Sequence, residues 1–254
     1  MAGQALIDHG RFLDALGVEV ELLLGASRSA PGDTPVPTCP GFTIGEVVRH
    51  VGGVYRTATA WITQGRAPRE WQRFPEPGQS TEDYLRTGLA ELLAELTTHD
   101  AEAYAASWWP ADRTYGFWSR RMAHETTIHR WDVVNAAGEP EREIAEDFAI
   151  DGIDEVLAVW FGQRLPMLGL SGTTRKSVAV HSGGHHWIAR AGPGVTEAWR
   201  CSAAEAARAD GAVSAPPVAM YLWMWGRNDH RQVEWSRDED AIGQLWALLR
   251  LATK

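Results

Sequence analysis

The sequence predicts an α+β fold, with a bundle of four long helices followed by a smaller region of short strands and helices. Three observations predict it. Through roughly the first two-thirds, apolar residues recur at helical spacing between polar or Pro-rich linkers. The last 80 or so residues alternate as strands around Gly-Gly and Gly-Pro-Gly turns. The 254 residues suffice for one large domain or two ordinary ones. We place the boundary near 165, giving a helical domain over 1–165 and a small α+β domain over 166–254.

The elements follow in order. Residues from about 4 to 25 carry Leu6, Phe12, Leu13, Leu16, Val20, Leu23 and Leu24 on one helix face. A loop from Ser27 to Gly41 holds Pro31, Pro35, Pro37 and Pro40. The second helix opens on Thr43 with Glu46 three residues on, a capping box. Its stripe is Val47, Val48, Val51, Val54, Ala58 and Trp61. After a linker over 65–79, a third helix starts near Ser80. It carries Tyr84, Leu85, Leu89, Leu92, Leu93 and Leu96. A fourth runs from Tyr115 to Ala137 and stops at Gly138, a natural C′ residue. A fifth covers about 141–164. Strands are expected at 177–181, 186–190 and 195–199, then helices at 218–226 and 239–251.

Composition excludes several classes. A net charge of −9 argues against a nucleic-acid footprint. No run approaches the ~18 apolar residues of a membrane span. The N-terminal residues lack the basic start and apolar core of a signal peptide, so a cytoplasmic location is expected. Cys39 and Cys201 make no disulfide framework and no Cys-x-x-Cys motif. Lys176 and Lys254 are the only lysines, an Arg bias that speaks of a GC-rich genome rather than of the fold. The 13 tryptophans supply core area, and a few can line a pocket. The count also allows an apolar interface, and oligomeric state stays open.

The chemistry concentrates in Ala123-His-Glu-Thr-Thr-Ile-His-Arg-Trp-Asp132. Glu125 and His129 are four apart and share a helix face. A carboxylate and an imidazole so placed can bind one divalent metal, and a catalytic zinc takes three protein ligands and keeps a fourth position open. His124 and His129 are five apart, about 140° off one face, so they do not pair from one helix. The bland alternative for Glu125 and His129 is a solvated helix face. His50 is the candidate third ligand, because it lies beside the buried stripe of the second helix; alone it would read as a core histidine. Asp132 can orient a ligand, or make a surface salt bridge, which is the commoner case. Cys39, ahead of Pro40, reads as a packed thiol. His181, His185 and His186 flank a Gly-Gly turn and read as solvated. Arg227, after the apolar run Met220–Gly226, reads as helix capping or as a bidentate anion binder.

The segments Val36–Gly52, His124–Asp132 and Leu222–Arg227 together resemble the mycothiol-dependent maleylpyruvate isomerase family, in the right order and over nearly the whole chain. The resemblance implies a DinB-like four-helix bundle joined to a smaller α+β domain. It implies a divalent metal, usually zinc, on His50, Glu125 and His129, although this ligand type also suits nickel, iron or manganese. It implies an arginine facing the cleft, which falls on Arg227, and a small-molecule thiol, mycothiol, as partner. A thiol at the open position would become a thiolate and add to an electrophilic carbon, for isomerisation or for S-transfer. Arg227 would hold a substrate carboxylate. The alternative is a non-catalytic metal- or ligand-binding protein, whose site a fourth ligand such as His124 or Asp132 would close.

Overall fold

Four long helices make up Ile7–Glu143 in the computed structural model, which describes residues 4–70, 74–140, 142–227 and 232–253. They are α1 (His9–Ser27), α2 (Ile44–Gln64), α3 (Thr81–Leu96) and α4 (Tyr115–Ala136). Local chemistry sets their ends. The Thr43 hydroxyl accepts from the Glu46 N–H while the Glu46 carboxylate accepts from the Thr43 N–H. Ser80 and Thr114 cap α3 and α4 from one side only, their hydroxyls accepting from the Asp83 and Phe117 N–H groups. Past α4, Gly138 takes φ +70. The Glu139 N–H then reaches the Val134 carbonyl and the Gly138 N–H the Asn135 carbonyl, a Schellman closure.

Each helix packs on the other three, with α1 chiefly against α4 and α2 against α3. The core between them holds Phe12, Leu16, Val20, Leu23, Val47, Val51, Tyr55, Leu85, Leu92 and Met122. Gly52 lets α2 and α3 approach closely, since a Cβ there would sit 2.7 Å from the Tyr84 ring. Helix α4 departs from the one-sided pattern of the others. Arg120, Arg121, His124, Thr126, Thr127, Arg130 and Asp132 are all buried. Buried polar groups require partners. Arg130 forks onto Glu19, with Nε 2.6 Å from Oε2, and also donates to the Arg142 carbonyl at 3.0 Å. The hydroxyls of Tyr55 and Thr126 bond at 2.5 Å.

The second compact unit comprises Ile144–Lys254 with the residues up to Leu6. The two units therefore divide at 143/144, whereas the sequence pattern suggested about 165. The intervening residues form α5 (Glu146–Glu155), which winds directly into a π-helical stretch, Val156–Arg164, and then α6 (Leu165–Met167). The π-helical stretch packs on β3 and α5 on α8, so their apolar faces are buried within the sheet-bearing unit. The helix starts at 146 rather than near 141; residue 141 and residues 71–73 of the expected 65–79 linker lie outside the described residues.

The sheet has five strands in the order β3-β2-β1-β4-β5: β1 (Lys176–Ser182), β2 (His185–Gly192), β3 (Val195–Arg200), β4 (Gly211–Ser214) and β5 (Glu234–Arg237). β1 pairs parallel with β4, and the other neighbours are antiparallel. Gly183 and Gly184 turn β1 into β2 with φ +54 and +79, as a two-residue hairpin needs. The short α7 (Ala203–Ala206) packs on β1 and β2, and Ala206 and Ala209 form a small buried cluster with Ala179 of β1 and Ala212 of β4. Helices α8 (Pro217–Met224) and α9 (Glu239–Ala252) complete the unit. Strands β4 and β5 were not expected. Gly-Ala-Val-Ser carries one strong strand former, and Glu-Trp-Ser-Arg is an exposed edge without an apolar alternation.

Candidate metal centre

Helices α2 and α4 bring His50, Glu125 and His129 together. Their ligand atoms lie within 4.8 Å of one another. His50 Nε2 is 3.2 Å from Glu125 Oε1, and His129 Nε2 is 3.3 Å from the same oxygen. The imidazole rings cross edge to face at 5.0 Å, and Phe42 lies edge-on to His50. The three side chains are 13–15% exposed, so the cluster is sheltered yet reachable by a small molecule. One carboxylate oxygen and two imidazole nitrogens converging on one point are the donor set a divalent transition metal takes, and the donors fit such an ion.

The groups behind the cluster fix two of the three donors. The Arg121 guanidinium donates to Glu125 Oε2 at 2.9 Å, which leaves Oε1 for the two histidines. His129 Nδ1 is 3.1 Å from Asp132 Oδ2, so Nε2 is the nitrogen left facing the cluster. Asp132 is fully buried, and so does not make the surface salt bridge that its helical position most often indicates. Its carboxylate also accepts from the Thr38 hydroxyl at 2.6 Å and the Cys39 thiol at 3.1 Å. The Pro-rich loop ahead of α2 is thereby pinned to α4 through the same carboxylate that orients His129. Cys39 is thus packed, as expected, but against a functional neighbour. Its Sγ, with His129 and Asp132, forms a second close donor group.

Charge inside the cluster is strongly coupled. Burial pushes the Glu125 carboxyl up, but the hydrogen bonds from His129 and His50 and the His129 and Arg121 charges outweigh it and hold Glu125 well below the usual carboxylate range. Burial pushes His129 down; hydrogen bonds to Asp132, Cys39 and Glu125, together with the Glu125 charge, raise it well above an ordinary histidine. The chain thus places a proton on His129 where a cation would otherwise balance Glu125.

The other candidates fall elsewhere. His124 is fully buried and edge-on to Phe12, on another face of α4. Arg227 belongs to the sheet-bearing unit, where it donates to the Trp225 carbonyl at 2.7 Å. His181 and His186 face each other across β1 and β2 with their Nδ1 atoms 2.7 Å apart. Arg121 and Thr38 were not singled out from the sequence. The i,i+4 spacing of Arg121 and Glu125 was the one available signal for the first; the second has none, because its partner is distant in sequence.

Residues 13–134 match the family model of the mycothiol maleylpyruvate isomerase N-terminal domain. The fold as a whole is similar to the crystal structure of a mycothiol-dependent maleylpyruvate isomerase, with TM-score 0.58, 12% identity, and coverage of 91% of this chain and 93% of that one. A histidine-to-alanine mutant of that isomerase gives the same values. A comparison with curated protein sequences finds no match. No helix among the described residues is long and apolar enough to cross a membrane.

Proposed function

We propose that the chain is a metal- and thiol-dependent enzyme of the maleylpyruvate isomerase type. It would use mycothiol or a similar low-molecular-weight thiol to isomerise an electrophilic substrate, or would join that thiol to the substrate through its sulfur. The observation that carries this is the convergence of His50 Nε2 and His129 Nε2 on Glu125 Oε1, inside the segment that matches the family. His50, Glu125 and His129 would hold the metal, with zinc the first candidate. When bound, such an ion supplies an open coordination position at which a thiol loses its proton near neutral pH.

The chain's own residues do the rest. Asp132 fixes the tautomer and ring plane of His129. Arg121 holds Glu125 so that a single oxygen faces the cluster. Phe42 and the loop pinned by Thr38 and Cys39 shield the imidazoles from bulk water. Arg227 is the proposed anchor for a substrate carboxylate, through its planar fork of donors.

Elemental analysis of wild type and His129→Ala, purified without added metal, tests the reading. About one zinc per chain in wild type, lost in the variant, is the expected result, followed by thiol-dependent turnover of a cis-alkene acid. Full turnover by metal-stripped protein would overturn it.

A further inference from the structure

We propose that His181 and His186 clip β1 to β2 through a divalent ion of the nickel or copper class, at a site in the sheet-bearing unit that is independent of the proposed function. The two residues are direct partners in the β1–β2 ladder. Residues directly opposite each other in an antiparallel pair project from the same face of the sheet. Here the imidazoles cross edge to face, with ring centres 4.9 Å apart and Nδ1 atoms 2.7 Å apart. One proton shared between the two nitrogens accounts for that approach when no ion is bound. With an ion in its place, both Nδ1 atoms offer lone pairs and each ring carries its proton on Nε2.

The spacing selects the class of ion. Metal–imidazole bonds run about 2.0–2.1 Å, so nitrogens 2.7 Å apart subtend roughly 80° at the ion. That lies close to the angle of about 90° between neighbouring ligands in square or tetragonal coordination, the geometry of copper(II) and nickel(II) with nitrogen and oxygen donors. It falls well short of the tetrahedral angle of about 109° that zinc takes. The scaffold holds the pair in place. β1 and β2 are inner strands of the sheet. The Cys201 N–H donates to the His186 carbonyl at 2.9 Å, and the Ala215 N–H to the His181 carbonyl at 3.3 Å, so the backbone is tied on both sides. Ala179, two residues back on the same face, is fully buried with Ala206 of α7, whereas His181 and His186 are half-buried and open to a small ion. Among the described residues no third histidine, cysteine or carboxylate closes on the pair, which leaves the other coordination positions to water.

Calorimetric titration of the full chain with Ni2+ tests this, in a His129→Ala background that disables the cluster of the helical unit. The electron paramagnetic resonance spectrum of the same protein with Cu2+ is a second readout, because it counts the bound nitrogens. About one Ni2+ per chain is expected, and coupling of Cu2+ to two nitrogens. Adding His181→Ala or His186→Gln should weaken Ni2+ by tenfold or more, while His185→Ala, at the exposed end of β2, should leave it unchanged. Ni2+ should raise the melting temperature of the His129→Ala protein by mass action, and His186→Gln should abolish the rise. No bound ion, a Cu2+ spectrum without two coupled nitrogens, or an affinity unchanged by His181→Ala and His186→Gln would each overturn the proposal. So would an equal loss with His185→Ala, which would make the ion an adventitious one at the hairpin tip. Failure of the proposed function would show instead as wild type that binds no zinc, with these results unaltered.

Discussion

Replacing Asp132 by Asn keeps the volume of the side chain and removes its charge. The carboxylate is fully buried and serves three donors, the Thr38 hydroxyl at 2.6 Å, the Cys39 thiol at 3.1 Å and His129 Nδ1 at 3.1 Å. In the Asp132→Asn variant the amide oxygen still faces His129 only if its NH2 turns to Thr38, whose hydroxyl must then accept instead of donate, and in either orientation the charge that holds His129 is gone. Carboxylates that orient a metal-bound histidine typically account for 10–100-fold in metal affinity. We therefore expect zinc affinity, read by competition with a chelator, to fall by that factor, about 1.4–2.8 kcal/mol. Unfolding free energy, read by denaturant titration, should fall by about 1–3 kcal/mol, the cost of an unsatisfied buried polar group. Thr38→Val provides the control: it removes one donor to Asp132 without touching His129, so it should lower stability slightly and leave affinity nearly unchanged. Wild-type zinc affinity in Asp132→Asn would refute the argument that Asp132 holds His129.

Three further outcomes follow from the same geometry. His129 is raised well above the ordinary histidine value, and a metal requires its neutral form, so zinc uptake must displace a proton. Affinity should climb as pH rises and level off once pH passes the raised value; calorimetry in buffers of different ionisation heat reads the released proton, and an affinity flat from about pH 6 to 8 would count against it. Arg121→Ala leaves Glu125 Oε2 without its 2.9 Å partner in a nearly buried site, at a cost of about 3–5 kcal/mol. A melting temperature lower by roughly 6–20 °C, partly restored by excess zinc, is expected in calorimetry. Gly52→Ala sets a helix-propensity gain of about 1 kcal/mol against a Cβ 2.7 Å from the Tyr84 ring and 3.2 Å from Leu85 Cα. Because backbone cannot move aside as a flexible side chain does, we expect a net loss of about 1–2 kcal/mol in denaturant unfolding, and a net gain would show that the α2–α3 contact is looser than described.

Local signals in the sequence located the helix ends well. Thr43 with Glu46, Ser80 and Gly138 each act through groups a few residues away, and each sits where the pattern put it. The convergence of His50, Glu125 and His129 was legible because the last two share a helix turn and the first follows a buried stripe. What escaped depends on pairing across long stretches of chain. Asp132 looked like a surface residue because nothing near it in sequence announces Thr38 and Cys39, 94 and 93 residues away. Strand β4 exists because β1 lies beside it in parallel, not because Gly-Ala-Val-Ser favours a strand. The buried polar groups of α4, Arg121 among them, hid the helix's central position, since they break the apolar stripe by which a core helix is recognised.

The separation of His50 from Glu125 by 75 residues has a consequence for assembly. Neither α2 nor α4 alone brings the three donors together, so a partly folded chain with both helices formed but undocked has no site to offer. An ion that prefers the docked arrangement adds its binding free energy to that arrangement alone. Occupancy would then report whether the tertiary pairing has been completed, independently of helix content. A chelator that withdraws the ion would remove that free energy and shift the population toward molecules in which α2 and α4 have not docked.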